Sequence, residues 1–495
     1  MYLGIDLGTS GVKALLIDEA GEIIGVAHSS LAVLRPQARW AEQDPDSWWQ
    51  ATCAAIDQLQ QHYPAALAAL RGIGLSGQMH GATLLDQADR PLRPAILWND
   101  SRSDRQCAAL TQQLPTLHKI TGNLAMPGFT APKLLWVAEH EPAVFAQTRT
   151  VLLPKDYLRL CLTGDKVSDY SDASGTLWLD VAARDWSDTM LAATGLGRDA
   201  MPALVDGSQC TGELRQTLRK RWGIQQAVKV AGGAGDNAAS AVGVGAVASG
   251  DAFLSLGTSG VIFVVDPSFQ PESHAGVHTF CHTLAGRWHR MSVMLSAASC
   301  LTWAARLIGA SDEAALLQMI AALDNTSRLK APLFLPYLSG ERSPHNDPYA
   351  QGVFFGLTHS TEREALAYAV LEGVTFGLAD GLQALQSPAA TIQSLPLVGG
   401  GARSALWAQL IADVLKLPVY TYASGEAGAA QGAARLALLA CGASEALVCT
   451  KPDSQMEFLP QQARQAALDE RLGRYRQLYR ALTPLFTSGG SKPGT

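Results

Sequence analysis

The chain has 495 residues, too many for one ordinary domain, and this length predicts two or three domains. Hydrophobic residues make up 47% and charged residues 17%, as in a well-buried globular protein. The net charge of −6 argues against nucleic acid or an anionic membrane as a partner.

The N-terminal sequence predicts a protein without a targeting signal. Met1 leads almost directly into a predicted strand, and no basic segment followed by an apolar one occurs there, so we expect no signal peptide. We also expect no apolar run long enough to span a bilayer. The eight cysteines include no Cys-x-x-Cys pair, which is typical of reduced thiols in a cytoplasm rather than of disulfides or a zinc site.

A five-residue segment, LGTSG, occurs twice, at residues 7–11 and 256–260. Each copy lies between two apolar runs, which predicts a β-hairpin with a glycine-rich turn. Hydroxyls and backbone N–H groups in such a turn suit the anionic oxygens of a phosphate. The alternative is that Gly-Thr-Ser-Gly is only a favourable turn sequence. Because the flanks also match, we expect the two turns to hold one polyphosphate between two related halves of the chain.

The two copies differ in the residue before the shared segment, which is Asp6 in the first copy and Ser255 in the second. Mg²⁺ usually takes one or two carboxylates together with phosphate oxygens and waters. A carboxylate on one side only therefore favours a Mg²⁺-nucleotide in the cleft between the halves.

Strand and helix patterns alternate along both halves, which predicts an α/β fold. Asp44 and Pro45 mark the start of a predicted helix. The chain contains no Gly-Lys dipeptide, so a P-loop is excluded. Residues 72–77 match the dinucleotide fingerprint GxGxxG, but a helical pattern precedes them and a poor helix follows. We therefore attribute this match to chance.

Two polar clusters follow strand-like runs, at residues 78–81 and 98–102. Their amide, imidazole and carboxylate groups suit a neutral hydroxylated ligand, and Trp40 is a candidate for an aromatic face beside it. The alternative for a single His or Trp is a structural role.

Asp236 follows a predicted strand and several glycines, and it precedes an alanine-rich run over residues 238–247. An Asp at this place is a standard helix N-cap, which is the structural alternative. A carboxylate at the end of a strand and facing a cleft is also suited to be the base for a substrate hydroxyl. Its neighbour Asn237 is suited to hydrogen-bond a polyol.

The second half begins near residue 250, and the four histidines between residues 274 and 289 are interpreted as strand or turn residues rather than metal ligands. Three glycines at 399–401 lie between a predicted strand and a helix over 404–415. They let a flat or anionic ligand approach the backbone, with tight packing as the alternative.

Two further helices are predicted in the second half, over residues 362–385 and 460–485. Residues 488–495 have the composition of a linker and are predicted to be disordered.

The sequence resembles the FGGY carbohydrate kinases, which belong to the actin, Hsp70 and sugar-kinase superfamily. Gln78-Met79-His80 separates the chain from glycerol kinases, which carry an Arg-Glu pair there. The similar segments cover nearly the whole chain, at residues 4–13, 77–81, 96–100, 127–136, 235–239, 255–260, 336–342 and 399–404.

The resemblance implies two ribonuclease-H-like domains flanking a central cleft. It implies a sugar-binding N-terminal domain over residues 1–247 and a nucleotide-binding C-terminal domain over 248–487. It also implies ATP- and Mg²⁺-dependent phosphorylation of a ketopentose at its 5-hydroxyl, with D-xylulose as the first candidate. The alternatives are a kinase of the same family acting on another ketose or polyol, such as L-ribulose, and a non-catalytic nucleotide-binding regulator on the same fold.

The resemblance also assigns residues, with Asp236 as the base and Asp6 as the Mg²⁺ ligand, directly or through water. A cytoplasmic enzyme without nucleic-acid or membrane partners is expected, and a homodimer is compatible with the resemblance. The other assignments are sugar contacts at Met79, His80, Asp100, Asn237 and Trp40, phosphate contacts at Thr9, Ser10, Lys13, Gly257 and Thr258, and adenosine contacts at Gly400, Gly401 and Ala402.

Overall fold

The computed structural model describes residues 1–422 and 428–488. The segment predicted to be disordered lies outside the described residues, apart from Ser488, which ends the last helix. All eight cysteines are free of disulfide bonds.

Strands and helices alternate through the first half. Its strands are β1 (Tyr2–Leu7), β2 (Gly11–Ile17), β3 (Ile23–Ser30), β4 (Glu42–Gln43), β5 (Gly72–Gly77), β6 (Thr83–Leu85), β7 (Ala95–Ile96), β8 (Thr150–Leu152), β9 (Val167–Asp169), β10 (Leu179–Asp180), β11 (Asp185–Trp186), β12 (Ala203–Val205), β13 (Cys210–Glu213), β14 (Lys229–Ala231) and β15 (Ala234–Gly235). Its helices are α1 (Pro45–His62), α2 (Pro64–Ala68), α3 (Asp104–Gln113), α4 (Leu117–Thr121), α5 (Thr130–His140), α6 (Pro142–Gln147), α7 (Pro154–Thr163), α8 (Tyr170–Ala173), α9 (Asp188–Ala193), α10 (Gln216–Arg221) and α11 (Asp236–Gly243).

The second half follows the same alternation. Its strands are β16 (Ala252–Leu256), β17 (Gly260–Asp266), β18 (His278–Cys281), β19 (Trp288–Met294), β20 (Leu333–Pro336), β21 (Gly352–Phe355), β22 (Leu395–Val398), β23 (Val419–Tyr422) and β24 (Ser454–Phe458). Its helices are α12 (Ala298–Ile308), α13 (Glu313–Ala321), α14 (Asn325–Leu329), α15 (Arg363–Ala384), α16 (Ala405–Leu415), α17 (Gly428–Ala440), α18 (Glu445–Val448) and α19 (Gln462–Ser488).

The two halves contain the same five-stranded arrangement. In the first half, β1 pairs antiparallel with β2 and β2 with β3, whereas β5 and β14 extend the sheet in parallel on the other side of β1. In the second half, β16, β17 and β19 form the antiparallel part, and β22 and β23 form the parallel part. The order third-second-first-fourth-fifth in both sheets confirms the two related ribonuclease-H-like domains.

The local sequence signals explain how the main elements begin. Both LGTSG segments connect the strands of an antiparallel hairpin, as predicted. Asp44 accepts a hydrogen bond from the Asp46 N–H and caps α1, and Ser404 caps α16 through the Trp407 N–H. Residues 72–77 form a strand rather than a strand-to-helix turn, so the GxGxxG match is not a dinucleotide site.

The longest apolar helix lies in the protein core. Over residues 363–384, α15 is long and apolar enough to cross a membrane, although the sequence was expected to contain no such run. Its most apolar window is 89% buried inside the protein, however, where it packs beside the second sheet. A core helix of a globular protein satisfies the same length and composition criteria.

The halves share an apolar core, and one helix of the second half packs on the first sheet. Met79 and Phe129 of the first half belong to the same cluster of buried residues as Phe253 and Phe280 of the second half. In addition, α17 of the second half packs against β1 and β5 of the first sheet and against α11. The contacts between the halves are therefore extensive, and the division at residues 247 and 248 stays a prediction.

The α17 backbone lies so close to the first sheet that only glycine fits beneath it. A Cβ atom on Gly74 would lie 1.8 Å from the Ala433 carbonyl oxygen, and one on Gly4 would lie 1.9 Å from the Ala430 carbonyl oxygen. Both obstacles are backbone atoms of a helix, which cannot rotate away as a flexible side chain can. The packing of α17 therefore requires glycine at these strand positions.

We predict that Gly74→Ala destabilises the protein by about 2 kcal/mol or more, because the added methyl group forces α17 away from the sheet. The measurement is the midpoint of thermal and urea unfolding. Gly473→Ala is the matched control, because it lies within α19 and nothing lies within 4 Å of its added Cβ. We expect this control to leave stability unchanged or raise it slightly. Equal stability of the two variants would contradict the packing argument.

Candidate active site

The candidate site lies at the carboxyl edge of the first sheet. The strands β1, β5 and β15 run parallel there, and their ends lead into the first LGTSG turn, into Gln78 and into Asp236. Ligands of open α/β sheets bind in the crevice outside the carboxyl ends of parallel strands. The fold thus collects three sequence-distant segments at the place where a ligand is expected.

Two carboxyl groups, Asp6 and Asp236, lie close together at this edge. The Ser76 hydroxyl donates a hydrogen bond of 2.9 Å to Asp6 Oδ1, and Lys13 is the cross-strand neighbour of Asp6. Burial raises the pKa of Asp6. Burial and, to a smaller extent, the negative charge of Asp6 raise the pKa of Asp236 to about 6. A carboxyl with this pKa is ionised at neutral pH and is well matched to accept a proton.

Asp236 is the first residue of α11 rather than its N-cap, so the structural alternative considered for it does not hold. Gly235 occupies the cap position. Asp236 Oδ1 instead accepts hydrogen bonds from the Asn237 backbone N–H and side-chain Nδ2, at 2.7 and 3.0 Å. The helix also ends at Gly243, earlier than the alanine-rich pattern indicated. The carboxylate therefore accepts a hydrogen bond from one N–H group of the first helical turn without occupying the cap position.

A buried ion cluster supports the backbone next to Asp236. The Lys155 ammonium lies 2.6 Å from Asp156 Oδ1 and 2.9 Å from Asp169 Oδ1, with all three side chains fully buried. Asp169 accepts a hydrogen bond from the Ser171 hydroxyl, and Ser171 Oγ in turn accepts one of 3.2 Å from the Gly235 N–H. This chain of contacts fixes the peptide that precedes Asp236. The sequence did not predict this ion cluster because its residues form no local motif.

The first LGTSG turn is held by side chains from other segments. Thr9 Oγ1 donates to Gln78 Oε1 at 3.1 Å and accepts from the Trp98 indole N–H at 2.9 Å. The Gln43 amide donates to the Thr9 carbonyl oxygen at 2.7 Å. Ser10 is exposed at the tip of the turn. Gln78 and Trp98 lie within the two predicted polar clusters, whereas no motif in the sequence indicates a role for Gln43.

Met79 packs against the backbone of Gly235, the residue before Asp236, and Met79 and His80 both lie against Gly175. His80 Nδ1 is 2.6 Å from the Gly175 carbonyl oxygen, so Nδ1 carries the proton and Nε2 is left as an acceptor. Burial lowers the pKa of His80 to about 3, which keeps the ring neutral. A Cβ on Gly235 would lie 2.9 Å from Met79 Sδ. Of the predicted sugar contacts, Met79 is therefore packed next to the predicted base, and His80 follows it in the chain.

Lys133 holds the His80 segment in place. Its ammonium donates to the His80 carbonyl oxygen at 2.9 Å and to the Gly128 carbonyl oxygen at 2.8 Å. Burial lowers the pKa of Lys133 to about 7. His80 itself has a positive φ of 70°, an uncommon backbone conformation for a residue with a side chain. The lysine contacts stabilise this conformation.

The buried Asp100 and the partly buried Trp40 form a separate group. Both Asp100 carboxylate oxygens accept hydrogen bonds from Arg102, and one also accepts from the Ala41 N–H at 2.6 Å. The Arg102 guanidinium lies over the Trp40 ring, 3.6 Å from its centroid. The Asp100 side chain is 1% exposed. These contacts give both residues a structural role, and their predicted sugar contacts stay predictions.

The second sheet presents a similar edge. The turn at Gly257 and Thr258 follows β16, and the three glycines follow the parallel neighbour β22. A Cβ on Gly399 would lie 2.8 Å from the Leu256 carbonyl oxygen, so these two segments touch. Gly400 is exposed, and nothing lies within 4 Å of the place its Cβ would occupy. The open backbone at Gly400 is accessible to a flat ligand, whereas Gly401 packs against Leu256 and Trp407 and Ala402 is partly buried.

Within residues 1–422 and 428–488, no group of three or more His, Cys, Asp or Glu side chains is arranged to hold a metal ion. The predicted Asp6 site has two carboxylates at most, Asp6 and Asp236. The histidines at 278 and 289 lie in strands, as expected.

Comparisons with known proteins agree with this geometry. Residues 1–243 match the N-terminal domain of the FGGY family of carbohydrate kinases, and residues 252–441 match its C-terminal domain. The chain is 53% identical to a xylulose kinase of Escherichia coli (strain K12) over 98% of this chain and 100% of that protein. It is 55% identical to a xylulose kinase of Klebsiella pneumoniae over 89% of this chain and 90% of that protein.

The crystal structure of a kinase from Brucella ovis, described as a xyloylose kinase, superposes with a TM-score of 0.95. It is 52% identical, and the match covers 98% of this chain and 99% of that one. The paired sheets, the two glycine turns and both family matches lead to one conclusion. The chain belongs to the FGGY family of carbohydrate kinases.

Proposed function

We propose that the protein catalyses ATP-dependent phosphorylation of D-xylulose to D-xylulose 5-phosphate. The observation that carries this proposal is the partly buried Asp236 carboxyl, whose pKa is raised to about 6 and which directly follows Gly235, the residue packed against Met79. The Gln78-Met79-His80 sequence favours bacterial xylulokinases. The relatives described as xylulose kinases, at 53% and 55% identity, support the same substrate.

Asp236 accepts the proton of the sugar 5-hydroxyl as its oxygen attacks the terminal phosphorus of ATP. The bond from that phosphorus to the bridging oxygen breaks in line, and ADP leaves. Phosphoryl transfer needs positioning and charge stabilisation more than covalent help. Phosphates are held by Thr9, Ser10, Lys13, Gly257 and Thr258, adenosine by Gly400, Gly401 and Ala402, and the sugar by Met79, His80, Asn237, Asp100 and Trp40.

The carboxylates at the first edge fit a Mg²⁺ ion. Mg²⁺ prefers oxygen ligands and uses one or two carboxylates plus phosphate oxygens and waters, which matches Asp6 with Asp236 nearby. A bound Mg²⁺ would neutralise charge on the ATP phosphates. Asp6 is its proposed protein ligand, directly or through water. The eight free cysteines support a cytoplasmic location.

We expect D-xylulose to give the highest kcat/KM in a panel of acceptors with ATP and Mg²⁺, measured by coupled detection of ADP. The panel contains L-ribulose, other ketoses and glycerol. Equal or better turnover of L-ribulose or glycerol would overturn the assignment of D-xylulose as the substrate. Slow ATP hydrolysis that no sugar changes would instead favour a nucleotide-binding regulator.

We predict that Asp236→Asn lowers kcat for D-xylulose by about 10²- to 10⁴-fold, because the amide cannot accept the hydroxyl proton. Nucleotide binding, measured by calorimetry, is largely retained. Asp199→Asn is the control, since Asp199 is an exposed carboxylate outside the site. Kinase activity near the wild-type level in Asp236→Asn would refute the assignment of the base.

The raised pKa of Asp236 predicts an acidic limb in the pH profile. Only the ionised carboxylate accepts a proton, so kcat/KM is level above the pKa and falls as the pH drops through about 6. Well below this pKa, kcat/KM decreases nearly tenfold for each further unit by which the pH is lowered. Enzyme returned from pH 5 to pH 7.5 must regain full activity, which separates titration from unfolding. A profile that stays flat down to pH 5 would contradict this prediction.

A further inference from the structure

Arg342 belongs to the second half of the chain, yet it lies beside the sugar-binding residues of the first half. It follows the segment Pro336–Glu341, and the residue is partly exposed. Arg342 Nη1 is 3.1 Å from His278 Nε2, and His278 Nδ1 is 3.0 Å from Asn123 Oδ1. The arginine is thus anchored by residues from both halves.

The hydrogen bonds around Asn123 fix the direction of this chain. Asn123 Nδ2 donates to the carbonyl oxygens of Thr121 and Thr279, at 2.7 and 3.0 Å, so Oδ1 is the acceptor. His278 Nδ1 must therefore carry a proton and donate it to Asn123. His278 Nε2 then carries a lone pair and accepts a hydrogen bond from an N–H group of Arg342. The anchor holds a guanidinium, which is always a donor.

Aromatic contacts connect this anchor to His80. The Phe129 ring centroid lies 4.7 Å from that of His80 and 5.5 Å from that of His278. His278 also stacks on Phe280, with ring centroids 5.6 Å apart. The positive charge of Arg342 is close enough to contribute to the lowered pKa of both histidines. His80 and Arg342 therefore present an acceptor and a donor to one site.

The chemistry of the proposed acceptor requires such a donor. In its ring form, a 2-ketopentose uses the 5-hydroxyl oxygen to close a hemiketal with C2. A kinase that phosphorylates this oxygen must therefore bind the open-chain form, which has a free ketone at C2. A ketone oxygen only accepts hydrogen bonds, so the bare Nε2 of His80 cannot pair with it, whereas a guanidinium can.

We propose that Arg342 donates a hydrogen bond to the C2 carbonyl oxygen of the open-chain ketose and so selects ketoses over the corresponding alditols. This inference rests on the proposed function, because it takes the acceptor hydroxyl to be the one next to Asp236. In the alditol, C2 carries a hydroxyl group that can rotate and donate to another acceptor. Loss of Arg342 leaves the ketone unpaired but not the hydroxyl.

The test compares D-xylulose with xylitol and D-arabinitol, the two alcohols formed by reducing its C2 carbonyl. In Arg342→Met, we expect kcat/KM for D-xylulose to fall about 30-fold, the loss of one charge-assisted hydrogen bond. We expect kcat/KM for the two pentitols to change much less, so the preference for the ketose is largely lost. If the wild-type enzyme does not turn over the pentitols, their inhibition constants against D-xylulose replace kcat/KM.

Two variants keep the test decisive. Arg342→Lys retains a cationic donor, so it keeps more of the ketose preference than Arg342→Met and covers the case in which the methionine variant is misfolded. Arg306→Met changes an exposed arginine on α12 and leaves every value unchanged. Equal losses for ketose and pentitols, as for a residue that contacts the phosphoryl group, would overturn the inference. So would an unchanged preference.

The outcomes also separate this inference from the proposed function. Wild-type enzyme that does not phosphorylate D-xylulose refutes the proposed function itself. Wild-type enzyme that does so, together with an Arg342→Met variant of unchanged selectivity, refutes only the role of Arg342.

Discussion

The close approach of two carboxyl groups in a largely buried setting is the constraint on which this structure depends. Burying a negative charge is costly, and a second negative charge nearby adds to the cost. The pKa values of Asp6 and Asp236 are accordingly raised, and the nearby positive charge of Lys13 offsets the effect of burial on Asp6 only in part. A fold selected for stability alone would replace these groups. The proposed proton transfer and cation binding at this edge would account for their presence.

Neighbouring buried residues and a packed helix hold Asp6 and Asp236 in position. The Lys155 cluster and Ser171 fix the Gly235 peptide, and the Ser76 hydroxyl orients Asp6. On the other side, α17 lies directly on β1 and β5 and encloses the strands that end at the site. Because this helix comes from the second half, the position of the first edge is tied to the fold of both halves. Shared packing around Phe129 and Phe280 extends that connection to the sugar residues.

Much of the fold was predictable, because its signals are local. The repeated LGTSG segments, the Asp44-Pro45 helix start and the helix predicted over 404–415 each depend on signals within a few residues, and all three are confirmed. The structural alternative for Asp236, a helix N-cap, does not hold because the helix starts at Asp236 itself, one residue earlier than that alternative requires, which leaves Gly235 as the cap. The expectation that no apolar run is long enough for a membrane also failed. Hydropathy cannot distinguish a membrane span from α15, a helix surrounded by protein.

The sequence alone determined the paired glycine turns, the α/β class and the family, because each rests on the order of residues along the chain. Only the tertiary structure decided which groups meet. Asp6 is 230 positions from Asp236, and His80 is 262 positions from Arg342. A raised pKa, a fixed imidazole tautomer or an anchored guanidinium depends on neighbours in space and on the exclusion of water. These properties arise only when the two sheets and α17 come together.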